Sequence, residues 1–229
     1  LPQVATVIAP SLEVANLSLQ SSAKRLGPIS FALLHPGCWW LTGPSGAGKS
    51  LLLESLAGFH AEAQGDIRVN GNEVSHQAPE RRSIALMPQR WRLFPHWSVA
   101  RNLRFAAHLG GASTDRIDAL TERLQVAELL DRPTRALSGG ETQRIALIQT
   151  LLSPARVLLL DEPLSAIDAA LQSVVLDLLQ EEAAAEQRIC LVAAHRAAPE
   201  YPMRGLLLVE DGQLVSSAKS EQAIRDRSA

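Results

Sequence analysis

A chain of 229 residues can form one large α/β domain, or one domain carrying a smaller insertion, and either can bury a real core. An apolar share of 46%, a charged share of 20% and a formal net charge of -2 are ordinary for a soluble globular protein. They exclude a global attraction to nucleic acid or anionic lipid, so partners must be found through local sites.

In chain order, the first half opens with strand-like stretches: LEVANLSL at 12–19, ISFALL at 29–34, CWWLTG at 38–43, DIRVNGNEV at 66–74 and SIALMP at 83–88. One helix is expected between the third and fourth, from about Gly48 to Ala57, stopped by Gly58. The rhythm changes at Gln89. From Ser98 to about Leu130 apolar residues recur at helical spacing, as in VARNLRFAAHL and IDALTERLQVAELL, with GGAST as the break. Residues 90–137 therefore read as an inserted helical subdomain. The α/β alternation then returns: ETQRIALIQTLL is a helix, ARVLLLDEP a buried strand, DAALQSVVLDLLQEEAAAEQ a long helix and RICLVAAH a second all-apolar strand. LLLVEDGQLV closes the series as a hairpin on an Asp-Gly turn. The expected fold is α/β throughout 1–229, with a mixed sheet, flanking helices, an antiparallel β part and the helical insertion.

The only two cysteines, Cys38 and Cys190, each lie in an apolar stretch, which implies buried thiols in a reducing, cytosolic compartment. Apolar runs such as VLLLDEP are strand-sized, far short of the ~20 residues of a membrane helix. The opening LPQVATVIAP lacks the basic and apolar regions of a signal peptide, so membrane association is expected to go through another protein.

GPSGAGKS, from Gly43 through Pro44, Ser45, Gly46, Ala47, Gly48 and Lys49 to Ser50, fits the phosphate-loop pattern and stands where that pattern must, after a strand and at the start of a helix. Its glycines let backbone N–H groups converge on phosphate oxygens, and the helix N-terminus adds partial positive charge. Lys49 would reach the β and γ phosphates of ATP and the Ser50 hydroxyl would ligate Mg²⁺. VLLLDEP supplies the complement: a buried strand ending in two acids puts Asp161 beside the metal and lets Glu162 polarise an attacking water. A third feature, ALSGGETQRIAL, is a second glycine-bearing helix start in which Ser138 is a natural N-cap and Gly139 and Gly140 bare the backbone. Alone, it reads better as a plain Ser-Gly-Gly helix cap than as a binding surface.

GPSGAGKS, Gln89, LSGGE, VLLLDEP, SAID and His195, in this order and spacing, resemble the nucleotide-binding subunit of an ATP-binding cassette (ABC) transporter over nearly the whole chain. The resemblance implies two cassettes meeting head to tail, so that Ser138, Gly139 and Gly140 of each cap the ATP held by the other. It also implies that Gln89 senses Mg²⁺ and the attacking water, that Asp168 reaches across the dimer and that His195 contacts the γ-phosphate. Membrane permease subunits would dock near Gln89–Trp97, where Trp91, Phe94, Trp97 and two arginines cluster. An alternative packs those rings between insertion and core.

The wording ERRSIALMPQ followed by LFPHWSVARNLRF is similar to bacterial importers of the molybdate, iron, thiamine and polyamine group. That implies a cytoplasmic protein peripheral to the inner face of the membrane, a periplasmic binding protein in the full system and no nucleic acid. With its end at Ala229, the chain matches the short form found in thiamine uptake rather than relatives with a regulatory extension. The transported molecule is not legible. An exporter subunit and a soluble, non-transport ABC ATPase stay open as alternatives. Three departures stand out: no aromatic near Ser21 to stack on adenine, Glu141 where glutamine is usual, and Gln149 where arginine is frequent. An acid suits the first turn of a helix, but the sequence offers no reason for Gln149.

Overall fold

The computed structural model describes residues 11–20, 25–91, 93–197, 201 and 203–219. Its centre is a six-stranded sheet of β3 (Gly37–Thr42), β6 (Ile84–Met87), β7 (Val157–Asp161), β8 (Ile189–Ala194), β9 (Gly205–Glu210) and β10 (Gln213–Lys219), in the order β10-β9-β3-β8-β7-β6. All neighbours run parallel except the β9–β10 hairpin. β7 and β8 read as unbroken apolar runs because both faces are covered: Leu158, Leu160, Cys190 and Val192 face one cluster, and Val157, Leu159, Ile189 and Leu191 the other.

One face carries α1 (Lys49–Ala57) and a four-stranded antiparallel sheet, ordered β2-β1-β4-β5, of β1 (Leu12–Gln20), β2 (Arg25–Leu33), β4 (Gln64–Val69) and β5 (Asn72–Glu73). In β1 the buried apolar positions change parity, from Leu12 and Val14 to Leu17 and Leu19. A bulge between them, where Asn16 takes φ 53°, turns all four side chains the same way. The stretch 66–74, expected as one strand, is instead folded back at Asn70-Gly71, both with positive φ, into the β4–β5 hairpin.

The other face carries α2 (Val99–Gly110), α3 (Thr114–Arg123), α4 (Gly139–Leu151) and α5 (Ala169–Ala185). The α2–α3 segment leaves and rejoins the chain at one point, where Val99 N–H donates to Arg132 O and Thr134 N–H to Trp97 O. Asn102, fully buried, pins the entry by bonding the Phe94 N–H and the Phe94 and Ser98 carbonyls. Gln149 has its reason here: its oxygen accepts from Trp91 Nε1 at 2.7 Å and its nitrogen donates to Asn102 O at 3.3 Å, tying α4 to both. Among the described residues no helix is long and apolar enough to cross a membrane. Both cysteines are free and buried.

Candidate functional site

Parallel pairing sets the site. Thr42 pairs with Ala194, Asp161 with Ala193 and Met87 with Leu160, so the C-terminal ends of β3, β8, β7 and β6 form one edge. The residues just beyond those ends are Gly43–Lys49, His195, Glu162 and Gln89. Four stretches up to 152 residues apart, from Gly43 to His195, thus meet because each follows a strand of the same sheet.

The phosphate loop is shaped by its glycines and backed by the β9–β10 turn. A Cβ on Gly43 would fall 2.0 Å from Val209 O, while Gly46 and Gly48 adopt φ 80° and 102°. Gly212 N–H donates to Ala47 O at 2.8 Å. Lys49, buried, curls back so that Nζ donates to Gly43 O at 2.8 Å and Pro44 O at 3.0 Å. Burial pulls its pKa below the ordinary lysine value, against the opposing pull of Glu162 and Asp161. The ammonium is thus held over the loop by two carbonyls that phosphate oxygens can replace.

Asp161 is buried, and burial raises its pKa above the usual carboxylate value; a hydrogen bond from Ser50 works the other way. Hydroxyl and carboxylate side by side form the hard oxygen donor set that Mg²⁺ takes together with waters and phosphates. Among the described residues no group of three or more His, Cys, Asp or Glu forms an all-protein metal cage.

Glu162 is the hub. Its backbone sits at φ 52°, uncommon for a side chain with a Cβ, and its N–H donates to Ala193 O at 3.1 Å. Gln89 Nε2 donates to one carboxylate oxygen at 2.9 Å, and His195 Nε2 lies 3.0 Å from the other. The resulting cavity, about 400 Å³, is lined by Ser45–Leu51, Gln89, Glu162, His195 and Arg25. Arg25 had no motif to mark it; it arrives through the β1–β2 hairpin, opposite Gln20. Ser21 lies outside the described residues, and the described lining holds no aromatic ring.

Ser138, Gly139, Gly140 and Asp168 are not among the residues lining this cavity. Ser138 caps α4 in a capping box, its Oγ accepting from Glu141 N–H while the Glu141 carboxylate accepts from Ser138 N–H at 2.6 Å. The acid at 141 thus replaces a glutamine without loss of the cap. Asp168 caps α5 through Leu171 N–H at 3.0 Å. The two glycines that open α4 differ: a Cβ on Gly139 meets nothing within 4 Å, whereas one on Gly140 would lie 2.6 Å from Ala166 O. Only Gly139 fits the expectation of a bared backbone; Gly140 is required by the loop after β7.

Beyond Gln89 the aromatic residues divide. Trp91 turns inward onto Gln149 and the core. Phe94 (47% exposed), Trp97 and Phe105 (39% exposed) form a cluster with ring centroids 4.5–5.5 Å apart, Arg101 stacks over Trp97 at 4.2 Å, and Leu109 on the same helix is 68% exposed. The patch therefore starts at Phe94 and extends along α2 to Phe105, which sequence reasoning left out. Arg92 lies outside the described residues.

The profile described as ABC transporter matches residues 26–165. The chain is 44% identical over 163 residues to a molybdate/tungstate import ATP-binding protein of Archaeoglobus fulgidus, covering 69% of this chain and 68% of that one. It is 38% identical over 169 residues to the maltose/maltodextrin import ATP-binding protein of Escherichia coli K12, covering 69% of this chain and 46% of the relative. Among solved structures, a bacterial Atm1-family ABC exporter with ATP bound superposes with a TM-score of 0.81 at 26% identity, over 96% of this chain and 40% of that one.

Proposed function

The chain belongs to the ABC transporter family, and from that membership we propose that it is the ATP-hydrolysing subunit of an importer. The observation that carries the hydrolytic reading is the Glu162 carboxylate, held between Gln89 and His195 at the mouth of the phosphate loop. Lys49 and the loop N–H groups bind the β and γ phosphates, and Lys49 exchanges its two carbonyl partners for phosphate oxygens. Ser50, Asp161 and the Gln89 side chain would hold Mg²⁺, which supplies charge neutralisation to the phosphates when bound. Glu162 orients water and accepts its proton; Gln89 and His195 fix the carboxylate, and His195, 57% exposed, can turn to the γ-phosphate.

A second cassette completes the site. Ser138, Gly139 and Gly140 at the α4 N-terminus face the nucleotide of the other copy, and Asp168 reaches over from the start of α5. Residues 90–137 act as the inserted helical subdomain, a reading supported by the pinched ends at Val99–Arg132 and Trp97–Thr134. The Phe94, Trp97 and Phe105 patch, rigidly backed by Asn102, receives the membrane permease subunits at the cytoplasmic face, and a periplasmic binding protein delivers the cargo. The import direction is supported by the names of the sequence relatives, since the fold is shared with an exporter. Those relatives carry chemically different cargo, an oxyanion and a sugar, so cargo choice belongs to other polypeptides.

Glu162→Gln tests the reading. It keeps the Gln89 and His195 neighbours but removes the base, so turnover should fall by about 10²–10⁴ while ATP binding persists. Normal hydrolysis by this variant would remove Glu162 from its assigned role.

A further inference from the structure

The loop between β7 and α5 is held by one side chain of α4. Gln143 Nε2 donates to Glu162 O at 2.7 Å and to Ser165 Oγ at 3.1 Å, and Gln143 Oε1 accepts from Ala166 N–H at 2.9 Å. Ser165 Oγ in turn donates to Glu162 O at 3.1 Å. A single amide therefore closes on three successive parts of the loop, using a donor and an acceptor that no other residue type presents at that length.

What it holds needs holding. Glu162 occupies a left-handed backbone conformation that a residue with a Cβ adopts only when its surroundings over-determine it. Its N–H is fixed by β8, through Ala193 O, and its carbonyl by Gln143 and Ser165. Rotation of either peptide would swing the carboxylate away from Gln89 and His195. On α4, Gln143 stands three and four residues after Gly140 and Gly139, on the same side of the helix. Gly140 touches the same loop, its missing Cβ leaving room for Ala166 O. The start of α4 and residues 162–166 are thus joined through Gln143 and Gly140.

We propose that Gln143 is a positioning residue for hydrolysis: it couples the N-terminus of α4, the surface offered to a second copy's nucleotide, to the backbone of this copy's own Glu162. The inference rests on the reading of Glu162 as the group that acts on water. Through this link a displacement of α4 by one nucleotide re-aims the carboxylate at the other, which lets the two sites sense each other's occupancy.

A double-mutant cycle on the full chain tests it, with kcat and KM for MgATP and the affinity for a fluorescent ATP analogue measured for Gln143→Ala, Glu162→Gln and both together. Gln143→Ala should lower kcat roughly 10- to 100-fold with nucleotide affinity within about twofold of the parent, since its partners lie outside the phosphate loop. In the Glu162→Gln background the same change should cost less than about twofold in single-turnover hydrolysis, because the group it positions is already gone. Gln143→Glu guards against loss of fold: it preserves shape and the acceptor for Ala166 N–H but replaces the donor to Glu162 O by an acceptor, and should lose as much kcat while the protein still melts in one cooperative transition above the assay temperature. An equal loss in both backgrounds, or a fall in nucleotide affinity matching the fall in kcat, would overturn the proposal and leave Glu162 in place. Full hydrolysis by Glu162→Gln alone would overturn both.

Discussion

Replacing Gly139 and Gly140 by alanine, one at a time, separates what α4 does for its own chain from what it is proposed to offer another. At 140 the added methyl would stand 2.6 Å from Ala166 O, so backbone must move by at least 0.4 Å to reach the 3.0 Å that real contacts respect. Overpacking of this kind costs about 1–3 kcal/mol, offset by up to about 1 kcal/mol for alanine over glycine in a helix. For a chain of this size each kcal/mol moves Tm by roughly 2–4 °C, so Gly140→Ala should melt lower than the parent, by up to about 8 °C. At 139 nothing lies within 4 Å, and the helix gain alone predicts a Tm equal to the parent or a few degrees higher. Yet, on the proposed head-to-tail pairing, Gly139→Ala should be the poorer enzyme, because its methyl would meet the second copy's phosphate: kcat/KM at least about tenfold down, equivalent to ~1.4 kcal/mol. Nucleotide-free thermal melts and steady-state ATPase assays on the two variants read out both halves. A Gly139→Ala protein that melts and hydrolyses like the parent would refute the assignment of this surface to a nucleotide.

Three further outcomes follow from the same geometry. Arg82, buried, donates to Ser55 O, Leu56 O, Ser75 O and Gln77 O at 2.6–3.2 Å and so closes the C-terminus of α1; Arg82→Met should cost about 3–5 kcal/mol, a Tm drop of roughly 10 °C by calorimetry. Glu141 has its pKa lowered chiefly by the Ser138 backbone N–H, so its contribution is complete above the unfolded glutamate pKa and fades as pH falls through the folded value. The Tm advantage of the parent over Glu141→Ala should therefore be full at neutral pH and shrink below about pH 4, and a pH-independent gap would contradict the capping box. Phe105→Asp should leave melting temperature and basal hydrolysis unchanged while abolishing copurification with integral membrane subunits; retained copurification would move the docking surface elsewhere.

Much of this architecture could be read from residue order. Unbroken apolar runs marked β7 and β8, because both of their faces are buried, and α4 and α5 follow cap residues at Ser138 and Asp168. The phosphate loop and the acids ending β7 were legible because the spacing is local. The β4–β5 fold-back was not, although Asn70-Gly71 is a strong turn signal: apolar Ile67, Val69 and Val74 on either side disguised it as one strand. The meeting of Gln89 with Glu162 spans 73 residues and exists only because β6 and β7 are neighbours, so resemblance alone could suggest it. Arg25 and Gln143 carried no signal, since each depends on which side chain a distant element presents; inward packing of the rings after Gln89 was one of two open readings, and Trp91 follows it.

On the proposed function, each nucleotide site is finished by the α4 N-terminus of a second copy. Light scattering on Glu162→Gln after gel filtration, with and without MgATP, measures it most directly. The expected mass is near the 24.7 kDa of the single chain without nucleotide and twice that with MgATP, reverting to the single chain when Ser138→Arg is added. A protein that binds MgATP and still elutes at the mass of one chain would contradict it.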